Sequence, residues 1–370
     1  MRSVTHSLAV LLAFALVVIS AGAQTFAPPV AYPTGADAPN GVALGDLNGD
    51  GHLDVVVANA GIVGTVAVLL GNGDGTLQPA ITYAAGSFPE FIALADFNKD
   101  GHLDLAVADR AIGGSGYVNI LLGNGDGTFQ DPVAYGPFVD AFSLAIADFN
   151  HDGALDIVVA DVASGSLLLG NGDGTFRLGT PIGVSNAVFF AVADFNKDHK
   201  LDLAAADNSG QLVSILYGNG AGKFTLSSSY PTSTPPIALT VADLNGDGVP
   251  DIAIADEAVN NLNSNVTVLE SSSSGYVATK YPYGHEPRLI LAKDINHDGK
   301  VDLITENEFN GTVDIFINKG KGLFRPPIVL SDGALTAASV AVGDLNGDGK
   351  LDIVVSDGMI PGAVHVLLQN

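Results

Sequence analysis

The chain has no cysteine and no tryptophan, and only 15 of its 370 residues are Lys or Arg. Without cysteine there are no disulfides, no thiol nucleophile, no thiolate-held zinc and no lipid-modified cysteine anchor. Fifteen bases against 40 acids leave a net charge of −25 and no basic stripe to neutralise phosphates, so nucleic acid is not an expected partner. The missing indole weakens any case for sugar stacking. There is no GxSxG elbow, no HExxH, no GxxxxGK[ST] and no GxGxxG opening a helix. Long apolar runs are scarce too. The one at the start, Leu8 to Ile19, follows Arg2 and precedes Ala21-Gly22-Ala23, so residues 1–23 are expected to be a signal peptide. The mature chain then begins near Gln24, carries no membrane span, and is destined for the extracellular or periplasmic space. A secreted domain without disulfides needs another source of stability.

Repetition supplies it. The string DLNGDGHLD at Asp46 recurs at Asp96, Asp148, Asp194, Asp243, Asp294 and Asp344, at intervals of 50, 52, 46, 49, 51 and 50 residues. Each unit reads as four short strands. A small apolar strand precedes the acidic loop, and a strand apolar on both faces follows it, such as Leu105-Ala106-Val107-Ala108. A third strand runs into a glycine-rich turn, GNGDGT in the early copies, and a fourth leads out. No segment sustains helical periodicity. The expected fold is all-β, a single seven-bladed β-propeller over residues 24–370 with four antiparallel strands per blade. Residues 25–32 (TFAPPVAY) match the fourth strand at 128–135 (TFQDPVAY) in six of eight positions, and the chain ends on a third strand, VHVLLQN. The N-terminal strand should therefore complete the last blade and close the ring.

The acidic loop reads Asp-x-Asn-x-Asp-Gly-x-apolar-Asp. Calcium takes six to eight oxygens, and alternate loop positions can aim oxygens at one point. The expected ligands are side chains at positions one, three, five and nine and the main-chain carbonyl at position seven. They are Asp46, Asn48, Asp50, His52 and Asp54 in the first copy, and Asp96, Asn98, Asp100, His102 and Asp104 in the second. The third and fourth supply Asp148, Asn150, Asp152, Ala154 and Asp156, then Asp194, Asn196, Asp198, Lys200 and Asp202. The fifth, sixth and seventh supply Asp243, Asn245, Asp247, Val249 and Asp251, then Asp294, Asn296, Asp298, Lys300 and Asp302, then Asp344, Asn346, Asp348, Lys350 and Asp352. Position seven varies freely, as expected where only a carbonyl matters. Position six is Gly, suited to positive φ, except for His199, which should weaken the fourth site. An EF-hand would place Glu at position twelve and continue into a helix; position twelve here is Val57 or Val107, inside a strand. About seven calcium ions are expected, structural first.

With the DxNxDGxxD loops and the LLGNGDGTF stretches at 69–77 (with Leu77 for Phe), 121–129 and 168–176 in hand, the sequence resembles the FG-GAP and VCBS repeat family, which includes the N-terminal propellers of integrin α-subunits. The resemblance implies a seven-bladed propeller, loop calcium between the first two strands of a blade, and roles in adhesion or ligand recognition. The later hairpins depart from it (GNGAGK at 218–223, SSSSG at 271–275, NKGKG at 318–322), so their turns should differ in shape.

Function is read as non-enzymatic binding or adhesion by a monomer, with an extracellular protein or glycan as the ligand. A calcium-dependent lectin is the second reading. A polysaccharide lyase is the third, and Arg110, Arg288, Lys280 and Lys293 are its only suitable bases. Thirteen residues after each loop's first Asp stand Asn59, Asp109, Asp161, Asp207, Asp256, Asn307 and Asp357. They should start turns on the face opposite the loops; a ligand-binding ring is the sharper reading. Tyr32, Tyr83, Tyr135, Tyr230 and Tyr281 end fourth strands and are expected to pack, with sugar stacking the alternative. The links at 109–117 and 256–265 are the expected irregular contact surfaces.

Overall fold

The strand after each acidic loop is apolar on both faces because it is sandwiched between two neighbouring sheets. Asp54–Asn59, Asp104–Asp109, Asp156–Asp161, Asp251–Asp256, Asp302–Asn307 and Asp352–Asp357 are buried at every residue. The computed structural model describes residues 24–370 except 62, 111–114, 258–263, 274, 283–285, 309 and 335. The signal peptide expected at 1–23 lies outside them, as do parts of the two links named above.

Twenty-eight strands form seven four-stranded antiparallel sheets, and the described residues contain no helix. Blades are numbered here by their acidic loops. Blade 1 comprises Pro39–Gly45, Asp54–Asn59, Thr65–Leu69 and Ile81–Ala84, in that order from the axis outward. Six blades are built from consecutive strands. The seventh takes Ala337–Gly343, Asp352–Asp357 and Ala363–Leu367 from the C-terminus and its outer strand, Val30–Pro33, from the N-terminus. Val30 pairs with Val366 and Pro33 with Ala363, so the closure read from the two chain ends is present. Flanking main-chain bonds extend it, from Ala27 N–H to the Leu368 carbonyl (2.7 Å) and from Asn370 N–H to the Thr25 carbonyl (2.8 Å).

Hydrophobic seams run between blades. One joins Val56 and Val68 of blade 1 to Ile92, Leu105 and Leu121 of blade 2, and six others repeat the pattern around the ring. Innermost strands crowd the axis, which explains their small residues: a Cβ on Gly41 would lie 3.1 Å from the backbone of the neighbouring blade at Glu90 to Ile92. Every innermost strand also carries a register shift near its start, as between Pro39 and Val42 or Pro89 and Phe91. A bulge of this kind re-aims one side chain, and here it does so seven times around the axis.

Candidate functional site

Each acidic loop folds around its own backbone amides. In the first copy Asp46 Oδ1 accepts from the N–H groups of Gly49 (2.8 Å) and Asp50 (3.2 Å), and Oδ2 accepts from Gly51 (2.9 Å). Asn48 Oδ1 accepts from Asp50 N–H and Asp50 Oδ1 from His52 N–H, both at 2.9 Å. The loop can turn this tightly because two of its residues are left-handed. Position six has positive φ in all seven copies, including His199 at 65° in place of Gly. Position four does so as well, with Lys99, Lys197, His151 and His297 between 55° and 62°. The fourth loop keeps the bonding pattern of the others despite His199.

The ninth-position aspartate does something the ligand pattern alone did not reveal. Asp54, Asp104, Asp156, Asp202, Asp251, Asp302 and Asp352 have no exposed surface. One carboxylate oxygen of each accepts a backbone N–H from the end of the third strand or just beyond it, at Gly71, Gly123, Gly170, Gly218, Ser271, Asn318 and Gln369 (2.7–2.9 Å). In six copies the other oxygen accepts from loop position two, as Asp104 does from Phe97 at 2.8 Å. The position-two carbonyl in turn accepts from the hairpin of the next blade: Gly127 N–H reaches Leu47 and Gly174 N–H reaches Phe97, both at 3.2 Å. The acidic loop is therefore also a seam stitch between blades.

The chemistry of this donor set fits a hard divalent cation. Three carboxylates, one amide oxygen and one carbonyl sit within nine residues and contain no nitrogen or sulfur ligand. The charge is also incompletely offset. Burial, with added repulsion from Asp152 and Asp148, pushes Asp156 up to about 6, and Asp302 is pushed up to about 6 in the same way by Asp298 and Asp294. A cation placed among these oxygens would reverse that penalty. Asp46, Asn48 and Asp50 and their counterparts would hold it from the exposed side, with Asp54 and its counterparts behind.

Several members of the Asn and Asp ring on the opposite face bond to local structure. Asp161 accepts from Ala163 and Ser164 N–H and from the Ser166 hydroxyl, Asp109 from Phe88 N–H at 2.6 Å, and Asp207 from Gly210 N–H at 2.7 Å. Asp161 and Asp207 start turns, whereas Asp109 ties down the link that enters its own blade. The tyrosines pack as well: Tyr83 lies edge-on to Phe129, Tyr135 to Phe176, Tyr230 to Tyr276 and Tyr281 to Phe324, at 5.4–5.6 Å between ring centres. Blade 1 breaks the series. Leu77 stands where its counterparts are aromatic, and a cleft of about 390 Å³ opens there beside Tyr32, Pro33, Gln78 and Pro79.

A second cavity, of about 430 Å³, lies on the axis at the end away from the acidic loops. Two offsets supply much of its wall. Six residues before each loop stand the bulged Asn40, Glu90, Phe142, Val188, Ile237, Arg288 and Ala338; fourteen after the loop's first Asp stand Arg110, Asn208, Glu257 and Glu308 in blades 2, 4, 5 and 6. Arg288 bridges the opening, with Nη2 3.0 Å from Glu90 of blade 2 and Nη1 3.0 Å from Glu308 of its own blade. Arg110 stacks over the Phe142 ring at 4.3 Å. Of the four bases considered for lyase chemistry, only these two reach the cavity. Lys280 donates to the Ser233 hydroxyl on outer structure. Lys293 ends its strand beside the acidic loop, at the far end from Arg288. Glu90, Glu257 and Glu308 were missed by reasoning that followed repeated residues. Their signal is the reverse: two offsets at which the repeats disagree.

The FG-GAP-like repeat pattern matches residues 46–107, 96–159, 148–205, 194–254 and 294–355, which together contain all seven acidic loops. No curated protein matches the chain significantly by sequence. Among solved structures, BBS1N in complex with ARL6DN, in a crystal soaked with lead, is 15% identical with a TM-score of 0.64, covering 93% of this chain and 97% of that one. The same complex soaked with mercury gives 16% and 0.63 over the same shares. A lectin of Agrocybe aegerita that recognises non-reducing terminal N-acetylglucosamine is 20% identical with a TM-score of 0.54, over 89% of this chain and 94% of the lectin. At these identities the likeness is one of fold.

Proposed function

The chain belongs to the FG-GAP-like repeat family, and from that premise we propose that it is a secreted, calcium-stabilised binding module without catalytic machinery. The observation that carries this reading is the contrast between the two ends of the ring. Seven loops repeat the same oxygen donors, and five of them the same backbone stitch to the neighbouring blade, while the bulged axial residue differs in every blade. Repetition suits a structural ion; variation suits a ligand surface. Arg288 is held by two carboxylates, which leaves little for it to do in proton abstraction. BBS1N, crystallised in complex with ARL6DN, supports a protein as the first class of partner to seek.

Chelation tests the calcium part. At about ten times Kd one site adds roughly 1.4 kcal/mol, so seven add on the order of 10 kcal/mol. For a ring of this size that corresponds to about 10–15 °C in Tm. EDTA should lower Tm by that amount and calcium should restore it; an unchanged Tm, with no metal found by elemental analysis, refutes the reading.

A lectin is the second reading, favoured by the cleft beside Tyr32. Leu77→Phe should refill that cleft and abolish any calcium-dependent signal on a glycan array, and an array with no such signal removes the reading. Incubation with acidic polysaccharides should yield no rise in absorbance from unsaturated products.

A further inference from the structure

The axial cavity has two unanswered charges on opposite sides. Arg288 is neutralised in place by Glu90 and Glu308. Arg110 is not. Among the described residues its guanidinium has no carboxylate partner, and its buried Nε has no hydrogen-bond acceptor. Stacking on Phe142 offsets part of that cost, but a buried donor left unmade costs about 1–3 kcal/mol. Across the ring, in blade 5, Glu257 lines the cavity; its N–H donates to the Pro235 carbonyl, and its carboxylate has no hydrogen-bond or ion-pair partner among the described residues. Burial and the neighbouring Glu308 carboxylate hold it above the ordinary carboxylate range, against the partial pull of Arg288. Blades 2 and 5 face one another in a seven-membered ring. Between these poles the floor is apolar, where Phe91 and Phe189 meet edge-on at 5.8 Å beside Ile237 and Leu289.

We propose that this cavity binds a small zwitterion with an apolar body, such as a hydrophobic amino acid or the equivalent short peptide. Its carboxylate takes the Arg110 guanidinium through the Nη groups. Its ammonium takes Glu257, and its side chain lies on the phenylalanine floor. The volume, about 430 Å³, falls in the range of small-molecule sites. A ligand with one charge leaves the other pole unanswered, so selectivity comes from matching both charges at once. The inference rests on the axial face being the module's ligand surface and is independent of calcium in the loops.

Isothermal titration of the full chain, in calcium and in EDTA at a temperature where both forms are folded, decides it. The probes are L-phenylalanine, its methyl ester (cation only) and hydrocinnamate (anion only). L-phenylalanine should bind with Kd at or below about 1 mM, and each single-charge analogue at least about tenfold more weakly. Arg110→Gln should erase the preference for phenylalanine over its ester, and Glu257→Gln the preference over hydrocinnamate. No heat with L-phenylalanine to about 10 mM, or equal affinity for all three probes, overturns the proposal. So do variants that retain both preferences. If a variant fails to fold, the comparison of probes on the unchanged protein still decides. Binding that persists while EDTA leaves Tm unmoved would sink the calcium reading and leave this one standing.

Discussion

Replacing the buried aspartate of one loop and the exposed aspartate of the same loop should have different consequences, and the difference can be worked out from the second copy. Asp104 has no exposed surface and accepts two buried N–H groups, from Phe97 and Gly123, each at 2.8 Å. Asp104→Ala leaves both donors without a partner, at about 1–3 kcal/mol each, hence about 2–6 kcal/mol together. The Phe97 carbonyl also receives Gly174 of the next blade, so the disturbance reaches the seam. For a ring of this size the loss corresponds to about 3–9 °C in Tm. Asp100 is exposed, and its bond to His102 N–H is one that water can replace. Asp100→Ala should therefore cost less than about 1 kcal/mol in EDTA. In calcium at about ten times Kd it should forfeit one site, roughly 1.4 kcal/mol. Differential scanning calorimetry of both variants and the parent, in EDTA and in calcium, gives the four differences. Asp104→Ala should be destabilised in both buffers and Asp100→Ala only in calcium. If Asp104→Ala melts with the parent in EDTA, the stitch argument is wrong; if Asp100→Ala shows no calcium-dependent loss, the ligand assignment is wrong.

Glu306 offers a pH test: it is fully buried, neither carboxylate oxygen has a hydrogen-bond partner among the described residues, and burial pushes it up to about 8. Because the native pKa lies above the unfolded one, the unfolded chain sheds its proton first, and stability should fall between about pH 4.5 and pH 8. Glu306→Gln should flatten that part of the Tm profile and be the more stable protein above pH 8, by on the order of a few kcal/mol; parallel profiles would dismiss the argument. Deleting residues 24–33 removes the outer strand of blade 7 and uncovers the edge at Ala363–Leu367. Self-association on a sizing column and a clearly lower Tm are expected, and a monomer of unchanged Tm would show the closing strand to be dispensable.

The repeated part of this molecule was legible because repetition compares each loop with six others. Blade number, strand order and ring closure follow from the seven Asp-x-Asn-x-Asp loops and from TFAPPVAY at one end against VHVLLQN at the other. Positive φ at position six was readable from Gly; at position four it was hidden behind Lys99 and His151. The seam role of Asp104 was invisible because a ligand and an amide acceptor demand the same residue type. The axial cavity escaped for the opposite reason. Glu90, Arg288 and Glu257 stand at positions where the blades differ, and only the bulges that turn the innermost strands show which way those side chains face. Leu77 for Phe reads as a small departure in sequence, yet in the packed ring it is the difference between a filled seam and a cleft.

The pairing of Val30–Pro33 with Ala363–Leu367 joins segments more than three hundred residues apart. During synthesis the first strand must wait, unmatched, until nearly the whole polypeptide has been made. Nascent chains would thus expose a sticky ribbon for the entire translation time, and shielding of that ribbon by a chaperone would govern yield more than any later step. A circular permutant that begins at Pro39 and carries Val30–Pro33 after Asn370 should fold faster and aggregate less, because its last blade would be a local hairpin like the other six.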